Sequence, residues 1–174
     1  HSDLRRQRQM CIRDRSWIAD NPYPYGVNWC SSLELSIRLI SWCLIHNLLR
    51  SRDGNEGLLD LMRYETVSSA IFSQTYFIMQ NLSRYSSANN HLIGELVGVW
   101  VTCNSFNFGE RGKLWLKKSQ QLLEIEAARQ NHTDGGNKEQ AFYYHSAVLD
   151  FLAFSWLVSI NSTLRFSDSY VKLL

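Results

Sequence analysis

The stretch Asn90-His91-Leu92-Ile93-Gly94-Glu95-Leu96-Val97-Gly98-Val99-Trp100-Val101-Thr102-Cys103 decides the fold. Its apolar residues recur at helical spacing but cover a wide arc instead of one narrow stripe. A helix of that kind needs neighbours on more than one side. The segments that flank it read the same way. Ser86 to Asn89 form a break before it, and Asn104 to Gly109, a loop with two Phe, follows it.

Upstream, a helix is expected over 56–83, with Leu59, Met62, Ile71, Phe72 and Met79 on its apolar side. The turn Arg52-Asp53-Gly54-Asn55 separates it from a first helix over 29–50. There Leu33, Ile37, Ile40 and Leu44 recur at helical spacing, and Ser31 with Glu34 forms a candidate capping box. Pro22 and Pro24, the only prolines, make 20–27 an extended lead-in. Downstream, helices are expected over 110–130 and 138–160, divided by the turn signal Asn131-His132-Thr133-Asp134-Gly135-Gly136. A further helix begins near Arg165. No useful run of strand-like alternation occurs. The fold class is therefore all-α, built of antiparallel helical hairpins. Wide apolar arcs fit a layered α/α array better than a free four-helix bundle, although periodicity alone does not separate the two.

Composition narrows the function classes. The chain has 174 residues, 45% hydrophobic and 20% charged, which is globular and of single-domain size. Residues 1–16 hold five Arg against two Asp, whereas 17–174 carry 13 basic and 14 acidic side chains. The body is thus not basic, and the Arg-rich start lacks the interleaved aromatics of a nucleic-acid surface. That start has no apolar core of a signal peptide. Its segment Met10 to Arg15 resembles translated adapter sequence, so 1–16 is set aside as a non-native or disordered arm. Cys11, Cys30, Cys43 and Cys103 show no CxxC spacing, and the histidines lack ligand spacing, so no metal is expected. Cys30, Cys43 and Cys103 sit in apolar stretches and read as buried thiols. Ala147 to Ile160, the longest apolar stretch, is interrupted by Asp150 and too short to span a bilayer. Sequons begin at Asn81, Asn131 and Asn161, a weak pattern that matters only in a eukaryotic secretory pathway.

Three segments carry a family resemblance. They are Gly26-Val27-Asn28-Trp29 with Leu33-Glu34-Leu35-Ser36-Ile37-Arg38; Asn89-Asn90-His91-Leu92-Ile93-Gly94-Glu95; and Asp134-Gly135-Gly136 with Glu139-Gln140 and Tyr143-Tyr144-His145. In this order, over about 17–160, they resemble the heparinase II/III polysaccharide lyases. The resemblance implies a partial (α/α) toroid over 17–174, with a C-terminal β-sheet domain outside this sequence. It also implies β-elimination on an acidic, uronic-acid polysaccharide such as heparin, heparan sulfate or alginate, with no cofactor. A periplasmic or secreted location is implied as well.

That chemistry explains the residue types. The proton at C5 of a uronate is weakly acidic because its removal adds charge to a carboxylate. An Asn amide and a His imidazole can donate to that carboxylate and meet the charge that grows in the transition state. A phenol can take the proton, or give one to the leaving oxygen. On the resemblance, Asn90 binds the carboxylate with His91 beside it, Tyr144 is the catalytic tyrosine, and His145 lies next to it. Arg38, Asn28 and Trp29 are candidate substrate-binding residues.

Each candidate has a structural alternative. Asn89 or Asn90 would cap a helix. Tyr144 in its aromatic run would pack in a core, Arg38 would pair with Glu34 one turn earlier, and Trp29 would pack rather than stack on sugar. Glu95 and Glu139 are read as holding the motif helices by hydrogen bonding. The same two carboxylates are the pair that an α/α-barrel glycoside hydrolase would need. A non-enzymatic helical scaffold would show internal repeats, and none is convincing here. Family members take further site residues from later in the chain, so this stretch is expected to hold about half a site and to be inactive alone.

Overall fold

The computed structural model describes residues 16–50 and 65–174. Among the described residues a helical stretch at 16–20 is followed by six further α-helices: α1 (Ser32–Arg50), α2 (Glu65–Gln80), α3 (Asn90–Ser105), α4 (Gly109–Gln130), α5 (Phe142–Ser159) and the short α6 (Asp168–Val171). Among the described residues no strand occurs, only an isolated bridge between Asn131 and Asn137. The turn expected at 52–55, the front of the second helix and residues 1–15 of the arm at 1–16 lie outside the described residues, while Ser16 begins a helical stretch.

The helices form two layers. Side chains along α1 meet α3 in rising register: Ser36 Oγ donates to Glu95 O at 3.3 Å, and Asn47 Nδ2 to Ser105 Oγ at 3.2 Å. α3 meets α5 the same way, from Asn90 against Glu139 to Trp100 Nε1 donating to Ser155 O at 3.0 Å. α1, α3 and α5 therefore run parallel, with α3 in the middle. α2 runs back against α1: Ser32 Oγ reaches Asn81 O and Arg38 reaches Gln74. α4 returns beside α2, where Trp115 packs on Phe72 and Tyr76 at ring separations of 5.5 and 6.3 Å. This is the layered α/α arrangement expected of a toroid segment, with α1, α3 and α5 starting on one rim.

The wide apolar arc of α3 has its explanation here. Every residue from Leu92 to Thr102 is buried. Each large side chain so removed from water contributes about 1.5–3 kcal/mol. Gly94 and Gly98 let α1 come close: a Cβ on Gly98 would stand 2.5 Å from Ser36 Cβ. At the far end Trp100 and Tyr170 sandwich Phe166 at 5.0 and 4.1 Å, pinning the C-terminal tail onto the core. On α1, on α5 and at the C-terminal cap of α5, Ile37, Leu44, Leu48, Leu157 and Ile160 remain exposed.

Several boundaries differ from expectation. α1 starts at Ser32, not at 29, because Val27–Trp29 forms a separate 3-10 turn. Ser31 still caps it, accepting from Glu34 N–H at 3.3 Å. The lead-in is not extended throughout: 16–20 is helical and Tyr25 N–H closes a turn on Pro22 O at 2.8 Å. α5 starts at Phe142 instead of 138, since Gln140 takes a left-handed φ of 56° that a helix cannot include. Cys30 is exposed, contrary to its reading as a buried thiol, because the 3-10 turn leaves it outside the core; Cys43 is buried and Cys103 partly so. Among the described residues no helix is long and apolar enough to cross a membrane.

Candidate active site

Asn89 and Asn90 divide two jobs that the sequence left open. Asn89 caps α3, its side chain accepting from His91 N–H at 3.1 Å. Asn90, the first residue of α3, is buried and faces the segment that leads into α5. Its backbone N–H donates to Glu139 Oε1 at 2.8 Å, and its Nδ2 donates to Oε1 at 3.0 Å and Oε2 at 2.8 Å.

Glu139 is held in turn by the α4–α5 connection. The bridge Asn131–Asn137 closes that turn, with His132 N–H on Gly136 O and Lys138 N–H on Gln130 O, both at 2.8 Å. Asn137 is its buried hub. Its Nδ2 donates to Gln130 O and Asn131 Oδ1, and its Oδ1 accepts from Glu139 N–H at 3.0 Å. Its backbone N–H points at His145 Nδ1, 3.3 Å away. A backbone N–H only donates, so Nδ1 is the acceptor and the neutral imidazole carries its proton on Nε2. Asn90 and His145 thus share one anchor, although 55 positions separate them in the chain.

Tyr144 lies beside this network in an exposed aromatic run at the start of α5. It is 44% exposed, its ring is T-shaped to Tyr143 at 6.0 Å, and among the described residues its hydroxyl has no hydrogen-bond partner. His91 is exposed at the start of α3. Glu95 lies one turn along the same helix.

Glu95 does different work. It is buried, and its two oxygens accept from Ser83 N–H and Ser83 Oγ, both at 2.7 Å. Burial raises its pKa, against the pull of those bonds and of His91. It anchors the loop ahead of α3. Both carboxylates that a hydrolase would need are therefore committed to internal donors.

Asn28, Trp29 and Arg38 gather elsewhere, around the front of α1. Asn28 Nδ2 donates to Asn21 Oδ1 at 2.5 Å, and Trp29 Nε1 to Asn21 O at 3.3 Å. The Trp29 ring is buried edge-on to Tyr23 and Phe77 at 4.9 and 5.7 Å. Arg38 donates to Gln74 Oε1 at 3.1 Å and lies over the Trp17 ring at 4.1 Å, so it ties α1 to α2. Burial lowers its pKa, and Glu34 opposes the shift. These residues line or flank a small groove with Trp17, Asn21, Tyr23 and Gln74.

Asn137 and Ser83 were not singled out in the sequence. A turn asparagine and a loop serine are common residues, and only long-range contacts give them significance. Among the described residues no group of His, Cys, Asp or Glu is arranged to hold a metal.

No curated protein and no solved structure matches the chain. A family model described as "Heparinase II/III N-terminus" matches residues 2–174, essentially the whole sequence. The all-helical layers and the ordered motifs agree with that match, and the chain belongs to the heparinase II/III N-terminus family, which sets it in a polysaccharide-lyase context.

Proposed function

We propose that this chain supplies one half of the active site of a lyase that cleaves uronic-acid polysaccharides by β-elimination. The observation that carries the reading is the shared anchor on the helix-start rim, where Asn90 and His145, the residue after Tyr144, belong to one hydrogen-bonded unit. Asn90 binds the uronate carboxylate through its amide and His91 assists from the exposed start of α3. Withdrawing charge from that carboxylate makes C5–H acidic enough to lose its proton. Tyr144, whose side chain is part-exposed at the start of α5, removes the C5 proton as its phenolate. The electron pair left at C5 forms the C4–C5 double bond, the bond from C4 to the glycosidic oxygen breaks, and Tyr144 gives the proton it has taken to the leaving oxygen. His145, with its proton on Nε2, is a donor for the developing charge. Arg38, Asn28 and Trp29 are too deeply engaged with α2 and the front turn to be the first choice for sugar contact. They shape the groove beside the rim instead. The β-sheet domain expected beyond this sequence closes the other side of the cleft, in a periplasmic or extracellular setting.

The test is ultraviolet absorbance of unsaturated uronides during incubation of the full-length protein with heparin, heparan sulfate and alginate. A rise that Tyr144→Phe and Asn90→Ala both abolish supports elimination and names the polymer. New reducing ends without absorbance, dependent on Glu95 or Glu139, would replace it with hydrolysis.

A further inference from the structure

We infer that Glu139 is a positioning residue that fixes which face of the Asn90 amide the substrate meets; this rests on the elimination reading above. A side-chain amide can sit in either of two flipped orientations with nearly the same shape. An ionised carboxylate accepts and never donates, so Glu139 admits only the orientation that turns Nδ2 towards it. The two carboxylate oxygens subtend a smaller angle at Nδ2 than the two N–H bonds make. One N–H therefore serves both oxygens, and the other is left to donate elsewhere. The Asn90 backbone N–H, an otherwise unpaired donor at a helix start, completes the grip.

Glu139 is itself fixed. Its backbone is held by the buried Asn137, which also receives its position from Gln130 and Asn131. The orientation of Asn90 is thus written into the α4–α5 turn. The arrangement has an electrostatic consequence too. No salt bridge to Glu139 forms among the described residues, so its charge repels the uronate carboxylate that Asn90 is to bind. Glu139 gives orientation at the expense of ground-state affinity.

Glu139→Gln separates these effects. The new amide puts a donor against Nδ2 or removes one acceptor, so Asn90 loses its single orientation, while the repulsive charge disappears. In the full-length enzyme, kcat should fall by about tenfold to a hundredfold, the scale of a misplaced reacting partner, and KM should fall as the repulsive charge disappears. A purely structural role for Glu139 would instead lower thermal stability and active fraction and leave the KM of the folded enzyme alone; that pattern would overturn the proposal. A second readout needs no turnover: nuclear magnetic resonance of the Asn90 side-chain amide in this chain. Two widely split proton signals, one protected from exchange, should converge in Glu139→Gln. Unchanged Asn90 signals would refute the orienting contact. If the wild-type enzyme forms no unsaturated product on any polymer, the elimination reading fails on its own, and the amide signals alone decide whether Glu139 holds Asn90.

Discussion

Replacing Gly98 by alanine tests the close approach on which the parallel layer depends. The added Cβ would lie 2.5 Å from Ser36 Cβ, 2.7 Å from Ser36 Oγ and 2.8 Å from Ser36 Cα. Two of those atoms move only with the α1 backbone, so no rotamer change relieves the overlap. Ordinary contact requires α1 and α3 to part by roughly 1 Å, which forfeits a quarter to a half of the dispersion attraction along the seam. Overpacking of this kind costs about 1–3 kcal/mol, and a clash with backbone belongs at the upper end. Alanine returns about 1 kcal/mol through its better helix propensity. The net loss is about 2 kcal/mol, which in a chain of this size lowers Tm by roughly 4–8 °C. Thermal melts followed by circular dichroism would measure it. Gly94→Ala should cost less, because its nearest neighbours are the tip of Leu33 at 2.4 Å and the rim of Phe151 at 3.1 Å. Ser36→Gly should partly restore Gly98→Ala. A Gly98→Ala protein as stable as the parent would mean that propensity outweighs packing there, and the reasoning about the α1–α3 seam would be wrong.

Two further expectations concern titratable groups. Burial raises the pKa of Glu95 above the ordinary 4.5, so the folded state holds its proton after the unfolded chain has released it. The stability contributed by that proton is complete below 4.5 and is lost as pH rises through the folded value. Denaturant midpoints measured upward from pH 4 should therefore fall in the wild type relative to Glu95→Gln, and parallel pH curves would contradict the assignment. Burial also pushes the thiols of Cys43 and Cys103 to about 11 and about 12, whereas Cys30 is exposed. In a Cys11→Ser background, an alkylating reagent at neutral pH should label Cys30 first by mass spectrometry; labelling of Cys43 at a similar rate would show that the core is open.

How far the sequence could be read differs from element to element. The apolar arc of α3 announced a helix enclosed on several sides, because burial of Leu92 to Thr102 leaves a compositional mark. The direction in which neighbouring helices run leaves none. That α1, α3 and α5 are parallel emerges only from contacts such as Ser36–Glu95 and Trp100–Ser155. The start of α5 was misplaced for a related reason. Lys138 and Glu139 suit a first helical turn by local propensity, but the Glu139 carboxylate is drawn to Asn90 and the backbone turns at Gln140 instead. The family resemblance singled out the segments around Asn90 and Tyr144, and the family match covers both. The partner of Asn90 was recognised as a helix-holding carboxylate, without its target. Asn137 escaped notice because a turn rich in Asn and Gly already accounts for an asparagine locally.

The connection between α4 and α5 also bears on how this rim can vary. Surface turns are normally where a chain absorbs inserted or deleted residues. From Asn131 to Gln140 that freedom is removed, since a bridge, a buried asparagine and the grip on Asn90 all count residues from the same origin. One extra residue there would put Glu139 and His145 out of step with α3 together. The opposite rim is held in another way: in the three-residue connection between α3 and α4, Phe106 packs on His46 and Phe108 on Phe72. The two rims of the layer are thus tied by different means, one by polar contacts that count residues and the other by ring packing that depends on shape.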